Sequence, residues 1–425
     1  MKSRFFKLFA CVGSIAVLCM QSSPAEAIFA SVKATGMAAT CIAYPQDSLV
    51  AAYNPAGMAF IGNRLDIEGA WIHDTGRGRI SGNDSALAPL VNHSFKGMKT
   101  KDVYPVGFGY NRSYCLCGFD VSLGFVLYNR NFQKTTYTKP LVLLGTSKPG
   151  LEYINQTFAP VISVKFCENH SFGIAINRQI QRFKVKGIEK FDNLIGSIKP
   201  GHVTNREYSY SFGWMPTFGY YGQWTDCLSV GVTYQPETPM KRFHKYSGFL
   251  AHRGRLNIPR KIGAGIAYRI TPCITVAFDV EQIHWAPIHS LRNKLLHNGN
   301  IEQLGSKHGP GFGFRDQMYY RVGIDWQIDP CWCVRMGFRH ARAPFKRSQT
   351  TVNLLLLDCV EDFLTFGATW SPACNHEISA LFAWGFHKKI HGKGQTIPDT
   401  PTLGGGKVNV SEQKYALGLA WGYCY

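Results

Sequence analysis

Large apolar residues and small residues alternate strictly at the end of the chain. From Tyr415 to Tyr425 every second residue is a leucine, tryptophan or tyrosine, and the residues between them are alanine, glycine or cysteine. Because the side chains of a β-strand point alternately to its two faces, this period of two predicts a strand with one bulky apolar face and one small face. The same alternation recurs at 119–127, 228–235, 274–281 and 317–328. The pattern predicts an all-β protein.

The number and length of these segments indicate a 14-stranded antiparallel transmembrane β-barrel. Strands of about ten residues with aromatic residues near their ends are typical of such barrels, whereas a soluble sandwich is the alternative. Only a closed sheet pairs every backbone group in lipid. Six short and seven long connections suit fourteen strands with both termini on the periplasmic side. The predicted strands are 64–72, 103–113, 117–128, 157–166, 171–183, 207–222, 227–237, 257–270, 273–285, 316–328, 332–342, 362–371, 376–387 and 411–425.

The beginning of the chain has the features of a secretory signal. Three basic residues precede an apolar stretch from Leu8 to Met20, and Ala25-Glu26-Ala27 provides a cleavage site of small residues. After residue 20 no stretch approaches the roughly 20 apolar residues that a spanning helix needs. The predicted organisation is a signal peptide at 1–27, an N-terminal hatch at 28–63 and the barrel at 64–425.

The segment before the first strand is suited to filling the barrel. Fourteen strands enclose a lumen wide enough to leak. Residues 28–63 are rich in alanine and glycine, which allow close packing, and Asn-Pro favours a turn. We predict a plug inside the lumen, with a disordered periplasmic tail as the alternative. The candidate hatch and gating residues are Gly36, Asn54, Pro55, Ala56 and Gly57.

The chain carries a large positive charge. It has 46 lysines and arginines against 27 acidic residues, a net charge of +19, and removal of the signal leaves 43 − 26, or +17. The basic residues are dense in the predicted long loops, where they would hold anionic lipopolysaccharide or attract anionic substrates. Export and an apolar outer face argue against nucleic acid as a partner.

Cysteine follows the predicted short turns. An exported chain folds where disulfides form, and eight of the eleven mature cysteines lie at or beside turns on one rim. They are either small turn residues or disulfide partners, within the barrel or with neighbouring envelope proteins. The two Cys-x-Cys pairs have no accompanying histidine cluster, so neither a metal site nor a cofactor is expected. The disulfide candidates are Cys115, Cys117, Cys167, Cys227, Cys273, Cys331, Cys333 and Cys374.

Several motifs, in order along the chain, resemble a known family. Thr35-Gly36-Met37-Ala38 and Asn54-Pro55-Ala56-Gly57-Met58 resemble the hatch of the FadL/TodX outer-membrane transporters of long-chain fatty acids and other hydrophobic compounds. Segments at 171–184, 256–285 and 311–337 resemble later strands of that family, and Asp362-Phe363 to Gly367 resembles the hairpin that follows. The resemblance implies a plugged fourteen-stranded barrel and localisation in the outer membrane of a Gram-negative-type bacterium.

The resemblance also implies where a ligand binds and leaves. The family's pocket uses basic side chains for a fatty-acid carboxylate, and the closest matches are Arg182 and Arg315. Strand parity places Arg315 toward the lumen together with Arg321, which is a third candidate. Parity places Arg182 toward lipid, and either a β-bulge or a strand that rises above the bilayer would resolve this. The family's lateral exit lies at a kinked third strand. The candidate residues of that strand are Gly124, Tyr128 and Asn129.

Passive transport is the expected function. Ligand binding in the lumen, hatch movement and lateral exit would carry long-chain fatty acids or similar hydrophobic molecules into the membrane. The alternatives are a general or anion-selective porin and a cysteine-crosslinked structural or adhesive envelope protein. An enzyme is not expected, since the chain has no Gly-x-Ser-x-Gly elbow. The apolar final strand ending in Tyr425 resembles an assembly signal, so the barrel-assembly machinery is a further expected partner.

Overall fold

The sheet closes on itself as a barrel. The computed structural model describes residues 30–97, 102–116, 118–400 and 403–425, so the predicted signal peptide and Cys117 lie outside the described residues. Each barrel strand pairs antiparallel with the next, and the last pairs with the first over its whole length, from Arg64 opposite Cys424 to Ser81 opposite Lys407. The predicted 14-stranded antiparallel barrel is confirmed.

Tight turns connect the barrel strands on one rim, and long loops connect them on the other. Two further strands, Ser94–Lys96 and Asp102–Val103, are short and pair only with the first barrel strand. The barrel strands are β1 (Arg64–Ser81), β2 (Val106–Leu116), β3 (Phe119–Thr136), β4 (Gly150–Cys167), β5 (His170–Lys186), β6 (Ser209–Gln223), β7 (Leu228–Gln235), β8 (Arg260–Thr271), β9 (Ile274–His284), β10 (Gln317–Gln327), β11 (Trp332–Ala341), β12 (Asp362–Ala373), β13 (His376–His391) and β14 (Lys407–Cys424).

The two faces of the strands differ as the alternation requires. On β14 Leu419 is 65% exposed on the outside, whereas Ala416 is 2% exposed on the inside. Small inward residues leave room for the chain segment within the barrel, and the outward apolar residues provide a surface for lipid. No helix among the described residues is both long enough and apolar enough to cross a membrane.

Several strands are longer than the alternation predicts. β1, β3, β4 and β13 continue for several residues beyond the predicted ends on the long-loop side. There the outward side chains are polar or charged, because this part of the wall rises beyond the lipid. On β1, for example, the exposed Arg77 and Arg79 lie beyond the predicted end at residue 72, so a search for an apolar outer face stops before the strand ends.

Helices are short and lie in the plug and the loops. In the plug, helix α1 (Val32–Gly36) is followed by 3₁₀ segments. Asp47 and Asn54 cap these segments, each accepting a hydrogen bond from the backbone N–H two residues later. The other α-helices are α2 (Ala88–Val91), α3 (Ala251–Gly254) and α4 (His289–Arg292), and the 3₁₀ segments are Ser48–Ala52, Pro55–Phe60, Glu189–Phe191, His244–Tyr246, Arg347–Gln349 and Val352–Leu354.

The described cysteines form an exposed rim set and a buried set, and Cys424 is half-buried. All the described cysteines are free thiols, so no pair of them forms the predicted disulfide within the barrel, and a link to another protein stays a prediction. Burial raises the pKa of the Cys41 thiol in the plug and of the Cys359 thiol in a long loop. The exposed thiols, one at each tight turn, are those of Cys115, Cys167, Cys227, Cys273, Cys331 and Cys374.

Candidate functional site: a plugged lumen beneath an apolar cavity

Asn54 and the residues after it fasten the plug to one side of the barrel. The Asn54 amide donates to the backbone oxygens of Ile42, at 2.7 Å, and of Tyr220 on β6, at 2.9 Å. Ser163 Oγ on β4 donates to the Pro55 oxygen at 2.5 Å, and Ser171 Oγ on β5 donates to the Ala56 oxygen at 2.9 Å. Three consecutive candidate hatch residues (54–56) therefore lie against the inner wall, and Gly57 packs within the plug, where a Cβ would lie 3.0 Å from the Pro45 side chain.

Glycines in the wall make this close approach possible. A Cβ atom at Gly173 on β5 would lie 2.7 Å from the Ala56 Cα, and one at Gly219 on β6 would lie 2.9 Å from the Pro55 ring. On the far side of the lumen a Cβ at Gly36 would lie 3.0 Å from the Cα of Gly367 on β12. A side chain at any of these positions would therefore require the plug or the wall to shift.

Carboxylates from the wall hold the rest of the plug. Asp279 Oδ2 on β9 accepts hydrogen bonds from the backbone N–H groups of Cys41, at 2.8 Å, and Ile42, at 3.0 Å. Lys33 of the plug forms an ion pair with Glu377 on β13, although burial lowers the pKa of Lys33. The plug is therefore fastened around most of the lumen, which makes an open pore incompatible with this conformation.

A long loop closes the lumen from the opposite side. The loop between β11 and β12 folds inward at Leu354–Leu357, which are all buried. Tyr137 Oη donates to the Leu354 oxygen at 2.7 Å, and Gln133 and Thr135 of β3 both donate to the Leu356 oxygen. We call this segment the roof. The sequence does contain a signal for this buried segment, because four consecutive leucines are unusual in a loop that is predicted to be exposed.

An apolar cavity of about 110 Å³ lies beneath the roof. Asn131 and Asn155 stand on its β3–β4 side, and its ionisable side chains among the described residues are those of Tyr153 and Asp358. The Asp358 carboxylate lies 3.7 Å from Lys414 Nζ. A lysine or arginine is absent from the lining that the structure describes. The apolar lining includes Leu151, Phe183, Leu256, Trp285, Phe312 and Leu356.

The three arginines predicted for a carboxylate lie apart from one another and from this cavity. Arg182 stays on the outer face of β5, 4.3 Å from the Tyr208 ring, because β5 pairs with β6 without a bulge. Arg321 points inward as parity predicts, but its guanidinium donates to Glu281 at 2.9 Å. Arg315 is exposed in an external basic groove. The carboxylate site therefore finds no support in this geometry.

The third strand carries an irregularity where its pairing with β2 stops. Pairing of β2 with β3 ends at Phe108 opposite Leu127, and a bulge in β3 follows between Asn129 and Asn131. Tyr128 and Asn129 lie at this point and are buried. Gly124 lies lower, where a Cβ would meet the Met58 side chain of the plug at 2.6 Å. Two of the three predicted third-strand residues thus stand at the irregular edge.

The bulge directs a charged side chain into the lumen. Arg130 is the extra residue, and its guanidinium donates to Gln235 on β7. β2 pairs with β1 only as far as Gly69. Beyond Gly69, the described strands that pair with this edge of β1 are the short segments Asp102–Val103 and Ser94–Lys96. The wall between the upper parts of β1 and β3 therefore has few ladder hydrogen bonds.

A plugged fourteen-stranded barrel with an apolar cavity in its lumen defines a class of outer-membrane transport proteins. The profile of the family described as outer membrane protein transport protein (OMPP1/FadL/TodX) matches residues 16–425. The chain belongs to this family, whose members are outer-membrane β-barrels, and its location is the outer membrane. No curated protein matches the sequence significantly.

Solved structures with the same fold have distant sequences. A FadL homologue of Pseudomonas aeruginosa superposes with a TM-score of 0.69 at 14% identity, covering 95% of this chain and 99% of the other. The toluene transporter TodX of P. putida gives 0.64 at 12% identity, covering 92% and 97%. The toluene transporter TbuX of Ralstonia pickettii gives 0.61 at 12% identity, covering 93% and 98%. These similarities establish the fold.

Proposed function

We propose that this protein carries small, uncharged hydrophobic molecules passively across the outer membrane. The observation that supports this most directly is the apolar cavity without a lysine or arginine in its described lining. A carboxylate buried there would lose its hydration without gaining a cationic partner, which is costly. The nearest carboxylate, Asp358, would repel it further.

The size of the cavity favours a ligand with about one ring. An apolar protein cavity of about 150 Å³ accommodates benzene, so the 110 Å³ here matches a compact molecule better than a long acyl chain. Two of the structural relatives are toluene transporters. Long-chain fatty acids remain the competing substrate class, and uptake separates the two.

The proposed route leaves the barrel through the wall. A molecule admitted past the roof would rest in the cavity and leave beside the β3 bulge, between the upper parts of β1 and β3. A lateral exit into lipid spares an apolar molecule from passing through water. The fastened plug opposes the general porin, which needs an open lumen.

The test is uptake by cells that lack their own hydrophobic transporter. Cells producing this protein should accumulate labelled toluene several-fold faster than cells with an empty vector, and labelled palmitate no faster. Leu256→Trp, which fills the cavity, should bring toluene uptake close to background. Leu417→Trp, the same change on the outer face of β14, is the matched control and should leave uptake unchanged. Toluene uptake no faster than the vector would refute the proposal.

A second candidate role concerns the external basic groove. Its cationic side chains include Arg315, Arg342, Arg347, Lys389 and Lys393, with Glu361 as its acid among the described residues. We propose that this groove binds phosphate groups of lipopolysaccharide, which a dense cationic surface attracts. Changing Arg347, Lys389 and Lys393 together to glutamine should reduce the lipopolysaccharide that co-purifies with the barrel, measured by mass spectrometry.

A further inference from the structure

Amide side chains form a continuous row across three neighbouring strands beside the cavity. Asn131 on β3 stands opposite Asn155 on β4, and Asn155 stands opposite Gln181 on β5. In the next position toward the plug, Thr157 stands opposite Gln179. Asn155, Gln179 and Gln181 are at most 1% exposed. We call Asn131, Asn155 and Gln181 the amide row.

The amide row has hydrogen-bonding atoms without a protein partner. Both the oxygen and the nitrogen of the Asn155 amide are buried and unpaired among the described residues. The Gln181 nitrogen donates to Tyr153 Oη at 3.0 Å, but its oxygen is unpaired. The Gln179 oxygen accepts from Thr157 at 3.0 Å, but its nitrogen is unpaired. Four buried amide atoms are therefore unpaired at one place in the wall, and the two that belong to Asn155 border the cavity.

The other amides of the cavity are satisfied by the protein. Gln133 donates to the roof at the Leu356 oxygen, and Asn257 accepts from the Met240 N–H at 3.0 Å. Gln317 accepts from Trp285 Nε1 at 2.9 Å. Asn155 thus differs from its neighbours, since it lines the same cavity and makes none of these bonds.

Unpaired buried amides point to a ligand group that can both donate and accept. Leaving such a group without a partner costs free energy, so native structures almost always provide one. An alcohol can donate to the Asn155 oxygen and accept from its nitrogen. A carboxylate can only accept, and the cavity gives it no cation.

We propose that the amide row binds a neutral hydroxyl group, so that the preferred ligand is an uncharged amphiphile rather than a plain hydrocarbon. The apolar body of the ligand then packs against Leu151, Phe183 and the roof. The polar group lies against the β3–β4 wall, next to the bulge. This inference rests on the proposed function, because it assigns a substrate class to the same cavity.

Three ligands of nearly equal size test the assignment. Toluene, benzyl alcohol and benzoate differ only in carrying a methyl, a hydroxymethyl or a carboxylate group. Binding to the purified full-length barrel in detergent micelles is measured by equilibrium dialysis with labelled ligand, after subtraction of micelle uptake. We expect benzyl alcohol to bind roughly tenfold more tightly than toluene, corresponding to one well-made buried hydrogen-bond pair, and benzoate to bind most weakly.

Asn155→Leu removes the amide with little change in volume. It should lower the affinity for benzyl alcohol roughly tenfold and leave toluene binding unchanged or stronger. Gln181→Met tests the row at a second position, should the first variant fail to fold. Asn177→Leu on β5 removes a lumen amide whose nitrogen donates to Thr217 Oγ1 at 2.9 Å, away from the cavity. This control should leave the preference for the alcohol intact.

The outcomes separate this inference from the proposed function. Equal binding of toluene and benzyl alcohol, with both affinities changed alike by Asn155→Leu, would mean that water alone satisfies the row. That result overturns the inference and leaves uptake of hydrophobic molecules standing. Failure of all uncharged ligands to bind, together with no toluene uptake by cells, would refute both.

Discussion

At the scale of single residues, the lumen is organised by paired charges. Glu281 on β9 binds both Lys261, at 2.8 Å, and Arg321, at 2.9 Å. Arg335 lies 2.7 Å from Asp325. A buried charge that has such a partner is satisfied within the protein and is not available to a ligand. Arg321 and Arg335 are therefore paired with acids of the wall.

The glycines beneath the plug give a prediction at this scale. Gly173→Ala puts a methyl group where the plug backbone lies, so the plug must shift. We expect a loss of about 1–3 kcal/mol in stability, as for other overpacked sites, together with a larger ion conductance. Thermal unfolding followed by circular dichroism and conductance in planar bilayers measure the two effects.

The matched control for this glycine is Gly69→Ala on β1. A Cβ at Gly69 would have its nearest neighbour, the Pro105 oxygen, at 3.8 Å, which is ordinary contact. This variant should unfold and conduct like the wild type. If Gly173→Ala also unfolded and conducted like the wild type, the close contact between plug and wall would not contribute to stability.

The alternation along each strand predicted which side chains point into the lumen, but it did not predict which residues they contact. Alternation alone placed Arg321 inside and Arg182 outside, and both placements are correct. Their partners come from other strands or loops, as Glu281 does for Arg321. One sequence does not reveal such pairs, so the ion pair of Arg321 was not predicted, and a ligand role for this arginine stays a prediction.

At the scale of elements, the bulge in β3 is the feature that alternation missed. A bulge adds one residue between two regular stretches, so each stretch alone still alternates correctly. The sequence pattern ended the strand near Tyr128, yet β3 continues to Thr136 in a new register. The roof was missed for a different reason, since a loop that folds inward has no periodic pattern.

Removing the bulge should close the proposed exit. Deletion of Arg130 leaves Asn129 and Asn131 adjacent, so β3 can pair regularly with β4 along its whole length. We expect toluene uptake to fall at least several-fold while ligand binding to the purified protein is retained. Arg130→Ala keeps the extra residue but loses the bond to Gln235, and it should transport at a rate closer to the wild type.

A second bulge provides a control for the deletion itself. Pairing between β8 and β9 shifts between Arg269 and Thr271, beside a tight turn and far from the cavity. Deletion of Ile270 should leave uptake unchanged. Undiminished uptake after deletion of Arg130 would contradict an exit at β3.

At the scale of the whole molecule, strand number and connection lengths were readable from the sequence. The turns and loops alternate around the whole ring, which places all six tight turns on one rim. Cysteine lies at or beside every one of these turns, and each of the six thiols is exposed. A tight turn that needs a small residue could use glycine, alanine or serine. That requirement alone does not explain why cysteine occurs at all six tight turns.

The spacing of this ring favours links to other molecules. Adjacent strands are about 4.8 Å apart, so cysteines on successive turns, two strands apart, are separated by about 10 Å. A disulfide needs Cα atoms within roughly 7 Å, which excludes bonds between successive turns without movement of the backbone. A rim thiolate can instead attack the disulfide of another envelope protein, forming a mixed disulfide and releasing one thiolate of that partner.

The last prediction is therefore a reducible high-mass species in intact envelopes. Cells are treated with N-ethylmaleimide before lysis to block later exchange, and the barrel is detected after electrophoresis with and without dithiothreitol. We expect bands well above 47.5 kDa that collapse on reduction. Serine at all six exposed rim positions, together with serine at Cys117 and at the half-buried Cys424 near the same rim, should abolish these bands. Serine at Cys41 and Cys359, which are buried, should not. A single monomer band without reductant would show that the rim thiols stay free.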